Sequence, residues 1–149
     1  METVKAQKFT ARCYALIVSD TGRILVMKER WRGVDLNKLP GGGLELGEGL
    51  LECLNRELRE EFAHFEPCQW THLHTPTHYF TSQFRPDEQL LLNYFKAVAP
   101  VNEQRWALNP EESENLLGIE WLSLRKENRS WFTLESDRDA FDKLVALYD

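Results

Sequence analysis

The sequence predicts one domain in which helices pack on β-structure, of the α/β or α+β class. Three observations lead there. Along the chain the order is β-rich, helical, β-rich, helical. At 149 residues the chain can bury a core of its own and is short for two domains. Hydrophobic residues at 42% and charged residues at 28% are ordinary globular values. No repeat, low-complexity tract or linker interrupts it, so residues 1–149 read as a single unit.

In TARCYALIVSDTGRILVMKER, the apolar runs 15–18 and 24–27 flank Asp20-Thr21-Gly22, which predicts a β-hairpin. RWRGVDLN reads as a polar loop carrying an exposed Trp31. From 49 to 63 the period becomes helical, with Leu51, Leu54, Leu58 and Phe62 on one stripe. QWTHLHTPTHYFTSQF and EQLLLNYFKAVA predict two strands joined at RPDE, with Pro76 disturbing the first. VNEQRWALNPEESEN is a polar loop before a short strand in GIEWLSL. Ser136 followed by Asp139 resembles a helix N-cap box, and Phe141, Leu144, Val145 and Tyr148 mark one face of a terminal helix.

Net charge and cysteine usage narrow the function. A net charge of −6 argues against a nucleic-acid polymer as partner, which calls for a basic face. The start METVKAQKFTARC shows no apolar signal region, and runs such as YALIV are far too short to span a bilayer. Cys13, Cys53 and Cys68 are odd in number and lack CxxC spacing, which suggests a reducing compartment without disulfides. A cytoplasmic protein with no membrane partner is the plain reading.

The informative stretch is GGGLELGEGLLECLNRELREEF. Glycine is the poorest ordinary helix former, and Glu57, Glu60 and Glu61 at i, i+3 and i+4 repel one another on a helix. Neither choice favours stability alone. A hard divalent cation held between the carboxylates reverses the sign of that interaction. Pro40-Gly41-Gly42-Gly43 frees the backbone to approach a ligand closely. Glu48, eight residues before Arg56, is within reach of its guanidinium.

Gly42, five residues, Glu48, seven residues, then Arg56-Glu57-Leu58-Arg59-Glu60-Glu61 resembles the Nudix box, GX5EX7REUXEEXGU, where U is bulky and aliphatic. The match runs from Gly42 to His64, and the preceding KLPGG and the later IEWLSL resemble the usual flanks of that family. Ala63 and His64 depart from the pattern, which puts a glycine and an aliphatic residue there. The departure concerns the helix exit, where Phe65 can take the apolar contact.

The resemblance implies a metal-dependent Nudix hydrolase on an α/β/α sandwich with a mixed β-sheet. It implies Mg²⁺ or Mn²⁺ on Glu57, Glu60 and Glu61 with the Gly41 carbonyl, and substrate contacts at Gly42, Gly43 and Arg56. Glu48 becomes a structural brace for Arg56. The implied substrate is a small-molecule nucleoside diphosphate derivative, cut at its phosphoanhydride, and a homodimer is left open. The family often draws a further catalytic carboxylate from the loop before the last strand. Glu114 is the first choice for it, with Glu112 and Glu111 as alternatives. The rival function is a catalytically silent Nudix-like sensor domain, but such domains usually lose ligand glutamates and this chain keeps all of them. His72, His74 and His78 read as a partly exposed strand face with an option to line the pocket. Trp31 and Trp106 read as base-stacking or lid residues, Trp70, Trp121 and Trp131 as core, and Cys53 as a small packed residue.

Overall fold

The computed structural model describes residues 5–111 and 115–148. Its strands are β1 (Lys8–Leu16), β2 (Arg23–Trp31), β3 (Val34–Lys38), β4 (Gly41–Gly43), β5 (Trp70–His74), β6 (Glu88–Ala97) and β7 (Leu116–Ser123). The helices are α1 (Leu50–Glu61) and α2 (Glu135–Ala146), with 3₁₀ turns at Glu103–Arg105 and Lys126–Trp131. One sheet has the order β4-β1-β6-β5 and a second the order β3-β2-β7. β1 and β6 run parallel while the other pairings are antiparallel, so the larger sheet is mixed, as expected.

The helices cover opposite faces. Along the apolar run of β1, alternate side chains enter different cores, as the two-residue period of a strand requires. Tyr14, Leu16 and Val18 join Phe141, Leu144 and Val145 of α2. Cys13, Ala15 and Ile17 join Leu54, Leu58 and Phe62 on the α1 side. In β2, Ile24 and Val26 enter the first core, Leu25 and Met27 the second. Strands buried on both faces read as continuous apolar runs, which is why these two stand out in the sequence.

Several expectations need correction. The segments around Asp20-Thr21-Gly22 do turn back on each other, closed by Ser19 N–H to the Arg23 carbonyl at 2.7 Å and Leu25 N–H to the Ile17 carbonyl at 2.9 Å about the bridge Val18↔Ile24, but β1 and β2 then part into different sheets. RWRGVDLN is a hairpin: Trp31 pairs with Val34 across Arg32 and Gly33. Both turn residues have positive φ (50° and 78°), as a two-residue hairpin turn of the primed kind demands. In α1, Leu51 is 41% exposed, and Cys53 takes the buried position beside Leu54. Ser136 lies inside the first turn of α2 rather than at its cap, and Tyr148 is half exposed.

A buried polar network sets the position of the glycine strand. The Tyr94 hydroxyl lies 2.7 Å from Asp137 Oδ1 and 2.8 Å from the Ser136 hydroxyl. Asp137 Oδ2 accepts the Leu39 N–H at 3.3 Å. Asn37 and Thr133 exchange two hydrogen bonds, 2.8 and 2.9 Å long. Satisfied networks of this kind rigidify what they join. Here they fasten Asn37-Lys38-Leu39, and hence Pro40 and β4, to α2.

Candidate active site

The three glycines and the acidic helix meet at the seam between β4 and α1. β4 pairs with β1 in the register Arg12↔Gly43, Cys13↔Gly42, Tyr14↔Gly41. Gly41 adopts φ 145°, and a Cβ there would collide with the Cys13 carbonyl and the Tyr14 backbone. A Cβ on Gly42 would fall onto the Glu57 carboxylate. Strand pairing therefore requires glycine at 41, while at 42 a side chain would displace the Glu57 carboxylate.

Glu57, Glu60 and Glu61 all line one cleft of about 700 Å³, together with Gly41, Gly42 and Gly43. Glu61 is buried, at 9% exposure. Its Oε1 accepts the Gly41 N–H at 3.3 Å, while its Oε2 is buried without a partner among the described residues. Such an orphaned oxygen costs about 1–3 kcal/mol, and more when charged. Burial pushes the Glu61 carboxyl up to about 8 and also raises Glu57, where Arg56 opposes the effect. An all-oxygen donor set containing one unsatisfied buried carboxylate oxygen fits a hard divalent cation.

The Glu61 carboxyl has a direct consequence in metal-free protein. Its folded pKa of about 8 lies above the ordinary 4.5, so between those values the folded state binds more protons than the unfolded. Stability therefore falls as pH rises through that window, by up to about 1.4 kcal/mol per unit. In EDTA, the melting temperature of the parent is expected to drop relative to Glu61→Gln from pH 5 to pH 8. Parallel curves for the two proteins would contradict this.

Arg56 braces the loop that enters α1. Its Nη2 reaches Glu48 Oε1 at 2.7 Å and the Gly43 carbonyl at 2.9 Å, and its Nε reaches Glu48 Oε2 at 2.9 Å. Nη1 serves Glu57 at 3.0 Å and Glu60 at 3.2 Å. The pairing with Arg56 holds the Glu48 carboxyl down at about 2. Among the described residues Arg56 spends its donors within the protein and does not line the cleft. Glu48→Gln is expected to lower the melting temperature by several degrees and to reduce activity less than Glu60→Gln, read by thermal melts and initial rates. Equal activity losses without a stability change would place Glu48 among the metal ligands instead.

The helix exit explains the departures from the sequence pattern. Phe62 leaves α1 in extended geometry and bridges Leu108, the Ala63 N–H donates to the Ala107 carbonyl at 2.9 Å, and His64 takes positive φ (56°). The left-handed position thus falls at 64, so no glycine is needed at 63. Phe65 packs on Trp106 at 6.0 Å, taking the apolar contact, and Trp106 also sits edge-on to Phe62 at 5.2 Å. Trp106 is thus a packing residue, whereas Trp31 lines the cleft. Cys53 is fully buried, with its Sγ 3.8 Å from the Gly42 carbonyl.

Glu114 and Glu112 lie outside the described residues. Glu111 is exposed and away from the cleft, while Asn115 and Leu116 line it. His72, His74 and His78 do not line it; the segment 80–85 does. His78 approaches Glu135 and Asp139, with ligand atoms within 4.8 Å, at surface positions where such groupings are common without an ion. Sequence reasoning missed Arg12, Tyr14, Glu29 and Lys38, all of which line the cleft. The signal for the first two was available: Arg12 and Tyr14 share a face of β1 by alternation.

A family model described as the NUDIX domain matches residues 8–144. No curated protein matches the chain. Among solved structures, the chain is similar to the MutT protein from Methanosarcina mazei Go1, with 21% identity and a TM-score of 0.73 over 96% of this chain and 97% of that one. It is similar to the E. coli dihydroneopterin triphosphate pyrophosphohydrolase at 19% identity, TM-score 0.72, covering 95% and 99%. It also matches the NUDIX domain of Shewanella oneidensis NrtR, complexed with ADP ribose, at 17% identity, TM-score 0.67, covering 97% and 90%. At these identities the likeness is one of fold.

Proposed function

We infer the chemistry from one premise: the chain belongs to the NUDIX domain family and is a Nudix hydrolase. The bond we assign to it is the phosphoanhydride of a nucleoside diphosphate linked to a further group, with Mg²⁺ or Mn²⁺ as cofactor. The observation that carries this reading is that Glu57, Glu60 and Glu61 line one cleft with the glycine strand, with one buried Glu61 oxygen left without a partner among the described residues. The complexed ADP ribose of the NrtR domain and the triphosphate in the E. coli enzyme's name are phosphorylated compounds, which supports a substrate of that kind.

In this reading Glu57, Glu60 and Glu61 hold the cation, with the Gly41 carbonyl as a further ligand. A bound divalent cation supplies neutralisation of the diphosphate and a water of lowered pKa. The protein's own residues do the rest. Gly43, without a side chain, lets the substrate approach the backbone, while the bare Gly42 makes room for the Glu57 carboxylate beside it. Arg56, anchored by Glu48, holds the Glu57 and Glu60 carboxylates side by side through its Nη1. Trp31, Leu36, Phe80, Phe84 and Leu90 give the cleft an apolar stretch suited to a base. Glu114, next to the cleft-lining Asn115, remains our choice for the additional carboxylate.

The test is a panel of nucleoside diphosphate derivatives with Mg²⁺ or Mn²⁺, read by phosphate release after a coupling phosphatase. At least one compound is expected to yield a mononucleotide, and metal removal should abolish the signal. Metal-independent release at the same rate would remove the cation from the reading.

A further inference from the structure

Two histidines near α2 are left over once the cleft is assigned. Two residues apart on a strand, His72 and His74 would ordinarily share a face. The bulge between them re-aims the strand, so that His72 pairs with Phe95 of the α1 core and His74 with Tyr94 of the α2 core. His72 is accounted for: its ring stands edge-on to Phe95 at 5.6 Å, and its Nε2 lies 2.8 Å from the Thr75 hydroxyl. His74 is not. Its ring lies 6.0 Å from the Tyr94 ring, and both of its nitrogens are buried without a hydrogen-bond partner among the described residues.

His78, from the connection between β5 and β6, meets Glu135 and Asp139 of α2, with one ligand atom from each within 4.8 Å of the others. An exposed pair of carboxylates is no site by itself. Glu135 sits in the first turn of α2, where the helix dipole favours an acid. Asp139 lies beyond that turn and repels Glu135 at i, i+4. Arg129 does not relieve it, since its Nε serves Asp142 at 3.0 Å and its Nη2 comes no nearer to Asp139 than 4.0 Å. Among the described residues, no hydrogen bond or ion pair joins His78 to either carboxylate. The three groups converge without satisfying one another, next to an imidazole that also lacks a partner.

One imidazole nitrogen and two carboxylate oxygens suit a divalent ion of the zinc type, whereas Mg²⁺ takes oxygen ligands. The two carboxylates balance its charge. Carboxylates that hold a metal are themselves hydrogen-bonded, and His74 has an N–H to give. Burial, helped by Lys143, lowers the His74 pKa against the pull of Asp139, so the ring is neutral, with one donor and one acceptor.

We propose that His78, Glu135 and Asp139 form a metal site for Zn²⁺ or a similar divalent transition ion, with water as the fourth ligand and His74 as the residue that positions Asp139. The site is separate from the carboxylate stripe of α1 and does not depend on the hydrolase reading. It lies at the rim of the cleft. Glu135 lines that cleft, as does Phe80, whose ring is 4.5 Å from the His78 ring. The ion therefore fastens the cleft wall at 80–85 to α2.

The chain holds four histidines, at 64, 72, 74 and 78, and their imidazole C–H signals give a direct readout. Zn²⁺ is titrated into the full chain with Mg²⁺ in excess, followed by NMR and by calorimetry. The His74 and His78 signals are expected to move while those of His64 and His72 stay in place. No histidine is among the described residues lining the cleft, so Zn²⁺ held there would not produce this pattern. His78→Ala, Asp139→Asn and His74→Phe should each weaken binding by about 10–100-fold or more. Unmoved His74 and His78 signals, or parental affinity in His78→Ala, would overturn the site. Parental affinity in His74→Phe would overturn the positioning role. If His74→Phe does not fold, the other two variants and the His74 signal of the parent decide. Turnover plays no part in either readout, so failure here leaves the hydrolase reading untouched.

Discussion

Glu60→Gln and Glu61→Gln are each expected to fold and to lose about 10²–10³ in turnover, the usual cost of removing one well-placed charge stabiliser. The substitutions keep shape and hydrogen-bonding capacity while deleting a negative charge from the stripe. Their effects on stability should differ because their surroundings differ. The Glu60 side chain is 46% exposed, so its melt should hardly change. Glu61 is buried with an orphaned oxygen, so neutralising it should leave metal-free protein at pH 8 as stable as the parent or more so. Stabilisation by Mg²⁺, which follows from binding to the folded state alone, should shrink in both. Rates and melts on the same samples check this. A parental rate with unchanged metal dependence in either variant would show that the stripe does not hold the metal.

The second large effect separates two adjacent glycines. Gly41→Ala places a methyl group against the Cys13 carbonyl and the Tyr14 backbone, at a φ of 145° that side chains rarely adopt. Neither strand can give way without breaking the β1–β4 pairing. A destabilisation of about 3 kcal/mol or more is expected, and chemical denaturation would measure it. At Gly42 the obstacle is the Glu57 carboxylate, a side chain that can swing aside. Gly42→Ala is therefore expected to cost less stability but to displace a proposed metal ligand, with a loss of activity comparable to Glu60→Gln. Equal stability losses at the two positions, with activity intact at 42, would mean that the Glu57 position does not matter to the chemistry.

The contrast between these positions also explains what could be read from the chain. The glycines and glutamates were legible because they run against propensity and charge repulsion, and a cost without a structural return points to a ligand. β1 and β2 were legible as strands because both of their faces are buried, but their separation into two sheets was not, since nothing in a local pattern fixes strand partners. The hairpin at Arg32-Gly33 was hidden by its polarity: Arg30 and Asp35 face each other across solvent at 2.7 Å, so the strands lack the apolar alternation that marks a half-buried sheet. Lys38 was hidden for the opposite reason. A lysine reads as surface, and only the fold brings Glu29 and Tyr14 around it. Ser136 resembled a cap, yet Tyr94, distant in sequence, draws its hydroxyl into the core.

Product analysis in ¹⁸O-labelled water bears most directly on the claim that this site cuts a phosphoanhydride by attack of water on phosphorus. With Mg²⁺ and the nucleotide derivative turned over fastest, the expected result is a mononucleotide and a phosphorylated co-product, with the label on the phosphate of one of them. The reaction should stop in EDTA and fall sharply in Glu60→Gln. Tight nucleotide binding across the panel with no labelled product, under conditions where a known Nudix hydrolase is active, would contradict the account and leave a domain that binds its ligand without cutting it.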